Sequence, residues 1–376
     1  MGKHIHIISF DIPYPANYGG VIDIYNSIRL LNKEGMEITL HCFQYRGKKE
    51  SPELEKLCKK VFYYKRKTGL CSNLSLLPYI VKSRKDKNLL KNLLSDSDPI
   101  LFEGKHSCYY LNDERLNDRL KIYRPSNIEY DYYTGLAKAE KSLWKRFYFS
   151  IEAQKLKRFQ KQLKYADVIM SVSEYDTDYF KAMFPNKKVE HFMPFHSYDA
   201  FDIETGKGDY VLYHGKLSVP ENENAVTYLV KEVFSKEKDL PFIIAGHEPS
   251  QALKNLIEEH TNVTLIESPN DEELKKLIQN AAVNLLYTSQ PTGVKLKLIS
   301  VLFNGRNCVV NDKMLEGIGL ENVCIVANTP PEIADKCRKL LNIPFTEEDK
   351  QQRIEKMRDK FSNREGLKRF LRLLED

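Results

Sequence analysis

Residues 281–310 constrain the fold more than any other stretch, because they read as strand, glycine turn, helix, glycine stop and strand. The first strand is Ala281-Ala282-Val283-Asn284-Leu285-Leu286-Tyr287. Pro291 and Gly293 break the run just before a helical pattern begins, Gly305 ends that helix, and Arg306-Asn307-Cys308-Val309-Val310 follows as the next strand. Such a turn sets the free N–H groups of a helix's first residues beside open space at the carboxyl end of a parallel strand, which is an anion-binding position. Lysines at the helix opening add full charge to the dipole, and that suits a diphosphate better than a carboxylate.

At ~100° per residue Lys295 and Lys297 cannot share a face, whereas Lys297, Ser300 and Asn304 can. Lys297 is therefore favoured over Lys295 as the lysine facing a ligand. The plainer reading makes both lysines solvated helix charges. The apolar neighbours Val294, Leu296, Leu298, Ile299, Val301 and Leu302 weigh against it, since they mark a helix mostly buried against a sheet.

The rest of the chain repeats this alternation. The run from His4 to Phe10 is nearly continuous in apolar residues, as expected of a strand buried in a parallel sheet. Gly19-Gly20 opens a helix over 21–34, Gly35 stops it, and 36–43 is the second strand; this βαβ unit lacks the GxGxxG dinucleotide fingerprint. Further strands are expected at 61–64, 100–103, 120–124, 166–173 and 189–192. Gly104-Lys105-His106 follows one of them. A lone histidine is more often a structural hydrogen-bonder than a catalyst, but the carboxyl ends of open α/β sheets are where ligands bind. Residues 194–208 have two glycines, a proline and no periodicity, and read as a linker. Beyond it strands at 210–214, 242–245, 263–266, 281–287, 306–310 and 323–326 alternate with helices, one of them opened by the cap cluster 268–273.

At 376 residues the chain suits two domains of roughly 150 to 200 residues. The expected fold class is α/β, two Rossmann-like doubly wound domains facing a cleft: residues 1–193, a linker at 194–208, residues 209–360, and a C-terminal helix over 361–376 packing back on the first domain. Seven scattered cysteines without CxxC spacing suggest neither disulfides nor zinc and fit a reducing cytoplasm. The apolar start is too short for a signal peptide, and no run nears the ~20 residues of a membrane span. No acidic cluster in the sequence resembles a metal site. A net charge of +6 gives no argument for nucleic acid. Residues 138–164, however, interleave nine basic side chains with Trp144, Phe147, Tyr148, Phe149 and other apolar ones. This is either a surface helix packing on its own domain or a contact for an anionic membrane surface.

Two such halves without GxGxxG, and with a lysine-rich helix start in the second, resemble glycosyltransferase family 4, of the GT-B fold. Four stretches carry the likeness: residues 13–20, with Pro13 and Gly19-Gly20; Arg124-Pro125-Ser126-Asn127-Ile128-Glu129-Tyr130 with downstream Glu152 and Ser173-Glu174; Tyr213-His214-Gly215-Lys216 through Asn222; and 292–310. Thr292 and Ser300 stand where the family usually has two glutamates, the second a ribose ligand. Asn222 lies near the place of an expected second basic residue.

The resemblance implies a hexosyltransferase-type enzyme that moves a sugar with retention from a nucleotide-diphosphate donor to a glycan or lipid-linked acceptor in cell-surface polysaccharide synthesis. It assigns His106, Lys216 and Lys297 to the reacting centre, with Gly19, Gly20, Gly215, Asn270, Glu272, Gly293, Val294, Lys295 and Ser300 binding the substrates. No metal or other cofactor is implied, and the expected location is the cytoplasm, peripheral at the inner membrane face. The replaced glutamates leave open a non-catalytic subunit that binds a sugar nucleotide or glycan. An epimerase of the same architecture is a further alternative, against which the Arg124 segment argues.

Overall fold

The computed structural model describes residues 4–16, 18–45, 47–140, 142–289, 296–358 and 361–375. The chain divides into two compact units, residues 1–197 with 363–376, and residues 198–362.

The first unit is built on a seven-stranded sheet: β1 (His4–Ser9), β2 (Glu37–Gln44), β3 (Lys60–Lys65), β4 (Ile100–Glu103), β5 (Lys121–Arg124), β6 (Val168–Ser171) and β7 (Lys188–His191). The strands lie in the order β3-β2-β1-β4-β5-β6-β7, all parallel. Chain direction across the sheet reverses beside β1, which makes the carboxyl ends of β1 and β4 the topological switch point. Helix Gly19–Lys33 buries Val21, Ile24, Ile28 and Leu31 at helical spacing and stops at Gly35, whose φ of 78° favours glycine. Helix Asn363–Leu373 sets Leu367, Phe370 and Leu373 in the same core as Ile5, Ile7 and Phe195.

The second unit holds β8 (Val211–Lys216), β9 (Phe242–His247), β10 (Val263–Glu267), β11 (Val283–Leu286), β12 (Asn307–Val310) and β13 (Ile325–Val326). Their order is β10-β9-β8-β11-β12-β13, again parallel throughout, with the switch beside β8. The helix expected within 281–310 is present as Leu296–Asn304, with Leu298, Ile299, Val301, Leu302 and Phe303 buried. Each such burial contributes about 1.5–3 kcal/mol, so packing rather than propensity holds this short helix. Gly305 is required after it, since a Cβ there would come within 2.4 Å of the Asn284 amide.

The change from one unit to the other, between Ser197 and Tyr198, falls within residues 194–208, and the segment is packed on either side of it. Phe195 lies in the first core and its N–H donates to Asp23 Oδ1 at 2.7 Å, while Phe201 stacks on Phe303 with ring centroids 4.3 Å apart. The strand expected at 323–326 shortens to Ile325–Val326, because Val323 and Cys324 are folded into a turn on the Leu320 carbonyl.

Candidate functional site

In the second unit, β8 ends in Tyr213-His214-Gly215-Lys216 and leads through a short loop to helix Pro220–Leu229. Asn222, in that helix's first turn, folds back and donates from Nδ2 to the Lys216 carbonyl at 2.9 Å. Its Oδ1 accepts from the Tyr213 hydroxyl at 3.2 Å and from Lys297 Nζ at 3.1 Å, and Lys297 also reaches the Tyr213 oxygen at 3.3 Å. Gly215 lies under this amide, where a Cβ would approach it to 3.3 Å. Gly215, Lys216, Asn222 and Lys297 thus form one cluster at the carboxyl end of β8, with the ammonium in reach of the Asn222 and Tyr213 oxygens.

His214 is buried beside it. Burial, and then the Lys297 charge, push its pKa down to about 3, so the imidazole is neutral and its Nε2 has no partner among the described residues. Lys216 is exposed and only loosely paired, 3.7 Å from Glu248 Oε2.

The other expected donor-side residues stand apart from this cluster. Ser300 lies one turn along from Lys297, and its Oγ accepts from the Tyr198 hydroxyl at 2.7 Å. Asn270 caps helix Asp271–Asn280 in a reciprocal box with Glu273, and Glu272 pairs with Lys276 at 3.1 Å, so the helix start accounts for both. Gly293, Val294 and Lys295, with the turn that opens the lysine-bearing helix, lie outside the described residues.

In the first unit, β4 ends at Glu103 and the chain turns through Gly104, at φ 67°, into the short helical turn Lys105–Tyr110 that carries His106. A side chain at Gly104 would be strained by its φ and would meet His106 Nδ1 at 3.2 Å. That nitrogen is buried with no hydrogen-bond partner among the described residues. Burial, then the nearby Arg84, Arg66 and Lys105, hold the His106 pKa well below 6.5, so the ring is a neutral hydrogen-bonding group and not an acid at neutral pH. The Phe10 ring packs against it, centroids 5.0 Å apart. Phe10 in turn explains Gly20, where a Cβ would lie 2.7 Å from its ring; Gly19 is exposed at the first turn of the helix.

Several charged residues at this edge were not singled out as site residues in the sequence. Arg124 grips Asp23 with two bonds of 2.9 and 3.0 Å and donates to the Met193 carbonyl at 3.1 Å. Glu103, wholly buried, is raised to about 8 by burial and by Asp23, against the lowering effect of Arg124. Lys105 Nζ sits 3.1 Å from Glu129 Oε2 and donates to Gln160 at 3.0 Å. Asp176 is raised to about 6, chiefly by burial. Their partners are far apart in sequence, Asp23 and Arg124 by 101 positions. The available signal was their place at or shortly after strand ends.

An open pocket of about 760 Å³ lies past the carboxyl ends of β2 and β3, lined by Lys48, Lys49, Lys65 and Arg66 against Glu50. Beside it runs helix Leu143–Phe159. Its far half buries Glu152, Ala153, Leu156 and Phe159, but Trp144 is 85% and Phe147 63% exposed. Asn73 joins the adjoining loop to this helix through Tyr148 and Lys155, and that loop adds Leu74 and Leu76, at 84% and 92% exposure. No described helix is long and apolar enough to cross a membrane.

Comparison with known proteins agrees with this architecture. The family model described as glycosyl transferases group 1 matches residues 208–342. A Klebsiella pneumoniae protein described as an uncharacterized 44.6 kDa protein in the cps region is 30% identical over 332 residues, 84% of this chain and 84% of that protein. Among solved structures, TarM superposes with a TM-score of 0.71 at 12% identity, over 100% of this chain and 99% of its own. A trehalose-phosphate synthase (UDP-forming) from Burkholderia xenovorans does so at 0.62 and 11%, over 100% of both. The chain belongs to the group 1 glycosyl transferases and has their GT-B fold.

Proposed function

We propose that this transferase moves a hexose, with retention, from a nucleotide-diphosphate donor to a glycan or lipid-linked acceptor in cell-surface polysaccharide synthesis. The observation that carries the reading is the Lys297–Asn222–Tyr213 cluster at the end of β8, at the helix opening where a leaving diphosphate gains charge. Lys216 and Lys297 stabilise that charge without a metal, and Gly293, Val294 and Lys295, outside the described residues, are the further candidates for binding it. Ser300 faces the ribose, and Asn270 and Glu272 lie toward the nucleotide. His106 contacts the donor sugar as a neutral group, and Gly19 and Gly20 let the backbone approach the diphosphate or the acceptor. The cps-region relative supports a polysaccharide product, and TarM, described in complex with fondaparinux, alpha-GlcNAc-glycerol and UDP, supports a nucleotide donor and a glycan acceptor.

The acceptor side favours a lipid-linked substrate. Lys49, Lys65 and Arg66 suit a phosphate, and the exposed Leu74, Leu76, Trp144 and Phe147, flanked by exposed Lys145 and Arg146, suit the surface of an anionic membrane. The protein then works in the cytoplasm at the inner membrane face.

A thermal-melt panel with UDP, GDP, ADP and CMP and their sugars, on wild type and Lys297→Ala, tests the donor site. A ligand at 100 times its dissociation constant adds ~2.7 kcal/mol. One carrier stabilising only the wild type is the expected result, and no stabilisation by any of them rejects the donor assignment. The engagement of Ser300 by Tyr198 favours a second reading, a non-catalytic subunit that binds a sugar nucleotide or glycan. Sugar transfer or donor hydrolysis by the purified chain excludes it.

A further inference from the structure

At the amino ends of β1 and β4, the opposite edge of the first sheet from Gly104 and His106, four side chains converge. His4 and His6 stand two apart on β1 and share a face of the sheet, while Asp96 and Asp98 stand two apart in the segment entering β4. One ligand-type atom from each lies within 4.8 Å of the other three. His4 Nδ1 is 2.6 Å from Asp98 Oδ2, and His6 Nε2 is 2.9 Å from Asp96 Oδ2. No such cluster shows in the sequence because the two pairs lie some ninety residues apart.

A second observation is independent of the cluster itself: the outer nitrogen of each imidazole is already oriented. His4 Nε2 is 2.9 Å from Thr39 Oγ1. His6 Nδ1 is 2.9 Å from His41 Nε2, whose Nδ1 is 2.9 Å from the Tyr64 hydroxyl, and that hydroxyl accepts from Asn92. Metal-binding histidines are held this way, with the far nitrogen fixed by a partner that sets ring and tautomer. Here the partners form a buried chain, and each imidazole in it can shift its proton to the outer nitrogen and donate outward.

The carboxylates are braced as well. Arg119 donates from Nε to the Asp98 carbonyl at 2.6 Å, from Nη1 to the Leu93 carbonyl, and from Nη2 to Asp96 Oδ1 at 3.0 Å. Asp96 Oδ1 also accepts from the Asp98 N–H at 3.1 Å, and Oδ2 from Ser95 Oγ at 3.3 Å. Arg119 so fixes the segment through its backbone and one oxygen of Asp96, and both Asp96 oxygens face His6 Nε2, Oδ1 at 3.0 Å and Oδ2 at 2.9 Å.

We propose that His4 Nδ1, His6 Nε2 and one oxygen each of Asp96 and Asp98 bind a single zinc-type divalent ion. Two imidazoles and two carboxylates match the donor preference and four-coordination of zinc, and two carboxylates balance its charge; magnesium and calcium favour all-oxygen shells. Bonds of ~2.0–2.1 Å bring ligand atoms to about 3.4 Å apart, a closure that the half-exposed Asp98 can supply. With four protein ligands the ion is structural, tying the segment before β4 to β1 at the edge away from the sugar chemistry.

The test uses the full chain, stripped with a chelator and titrated with zinc chloride, with magnesium chloride as control. One equivalent of zinc raises the melting temperature of the wild type and magnesium does not. Asp98→Asn, at a partly exposed position, keeps a hydrogen bond for His4 and binds zinc at least about 10-fold more weakly, and His4→Ala loses the shift. X-ray absorption at the zinc edge shows nitrogen and oxygen ligands, including imidazole. No shift at one equivalent, an equal shift in wild type and Asp98→Asn, or sulfur in the zinc shell overturns the proposal.

Discussion

The two sheets have the same parallel build, and their carboxyl edges are furnished in opposite ways. In the first unit the edge is a closed network: Arg124 on Asp23, Lys105 on Glu129, a buried Glu103 and a neutral His106. In the second, Lys297 rests on an amide and a phenol, and Lys216 is exposed with one loose partner. Charge locked in pairs shapes a surface without attracting an ion, whereas an exposed, loosely paired charge such as Lys216 stays available to an anion. The closed network is confined to the switch point of the first sheet, while basic side chains stand open at the pocket past β2 and β3 and at Lys216 in the second unit.

The largest effect expected from this contrast is on stability in the first unit. Arg124→Ala leaves Asp23 buried without its cation and costs about 3–5 kcal/mol, read from denaturant melts. A loss under 1 kcal/mol means that the network is not closed. In the second unit the largest effect is on rate. Lys297→Ala lowers transfer ~100-fold or more with little change in melting temperature, because the ammonium acts on the developing charge. If Lys297→Ala unfolds the unit and leaves the rate of the surviving fraction intact, Lys297 belongs to the packing and the contrast fails.

Most of the fold was legible in the sequence. The short apolar runs, separated by glycines and helical patterns, mark most of the thirteen strands among the described residues, because a strand buried on both faces leaves little room for polar residues; the edge strand Lys188–His191 is mostly polar. The spacing of Lys297 and Ser300 was readable too, since helical periodicity decides which residues share a face. Less legible was whatever depends on partners distant in sequence. Asn222 had only its nearness to an expected basic residue, and its bond to Lys297 spans 75 positions. Glu103 looked like the last residue of a strand, and its altered acidity comes from burial and from Asp23. Phe195 looked like part of a linker until the core of the first unit enclosed it. The basic aromatic stretch carried two readings, and the helix packs Leu156 and Phe159 on its own unit while Trp144 and Phe147 are exposed.

That exposed end sharpens the contrast further, because among the described residues of the second unit no aromatic side chain is comparably exposed. The double variant Leu76→Ser with Phe147→Ser is expected to keep stability within about 0.5 kcal/mol, since neither side chain is buried. Its binding to vesicles containing phosphatidylglycerol falls about 10-fold, as two side chains no longer leave water. Unchanged vesicle binding, or self-association of the wild type abolished by the variant, assigns the patch to something other than lipid.

The effect that turns on a single proton is a pH dependence at the first edge. Glu103 is raised to about 8 when folded and is an ordinary carboxyl when unfolded, so the unfolded chain releases its proton first. Its contribution to stability is full below pH 4.5 and is lost as pH rises toward 8. Glu103→Gln has no proton to lose, so its melting temperature relative to wild type should climb between pH 5 and pH 8 by about 2–4 °C for each kcal/mol involved. The result bears on the closed network, because Glu103 Oε1 and Arg124 Nη1 are both buried without a hydrogen-bond partner among the described residues. If Glu103 is instead ionised and turns to Arg124, it stabilises the fold as pH rises and Glu103→Gln loses ground over the same range. A rising difference means that Arg124 is committed to Asp23; a falling one means that Arg124 divides its charge between Asp23 and Glu103 and that the first edge is less closed than its bonds suggest.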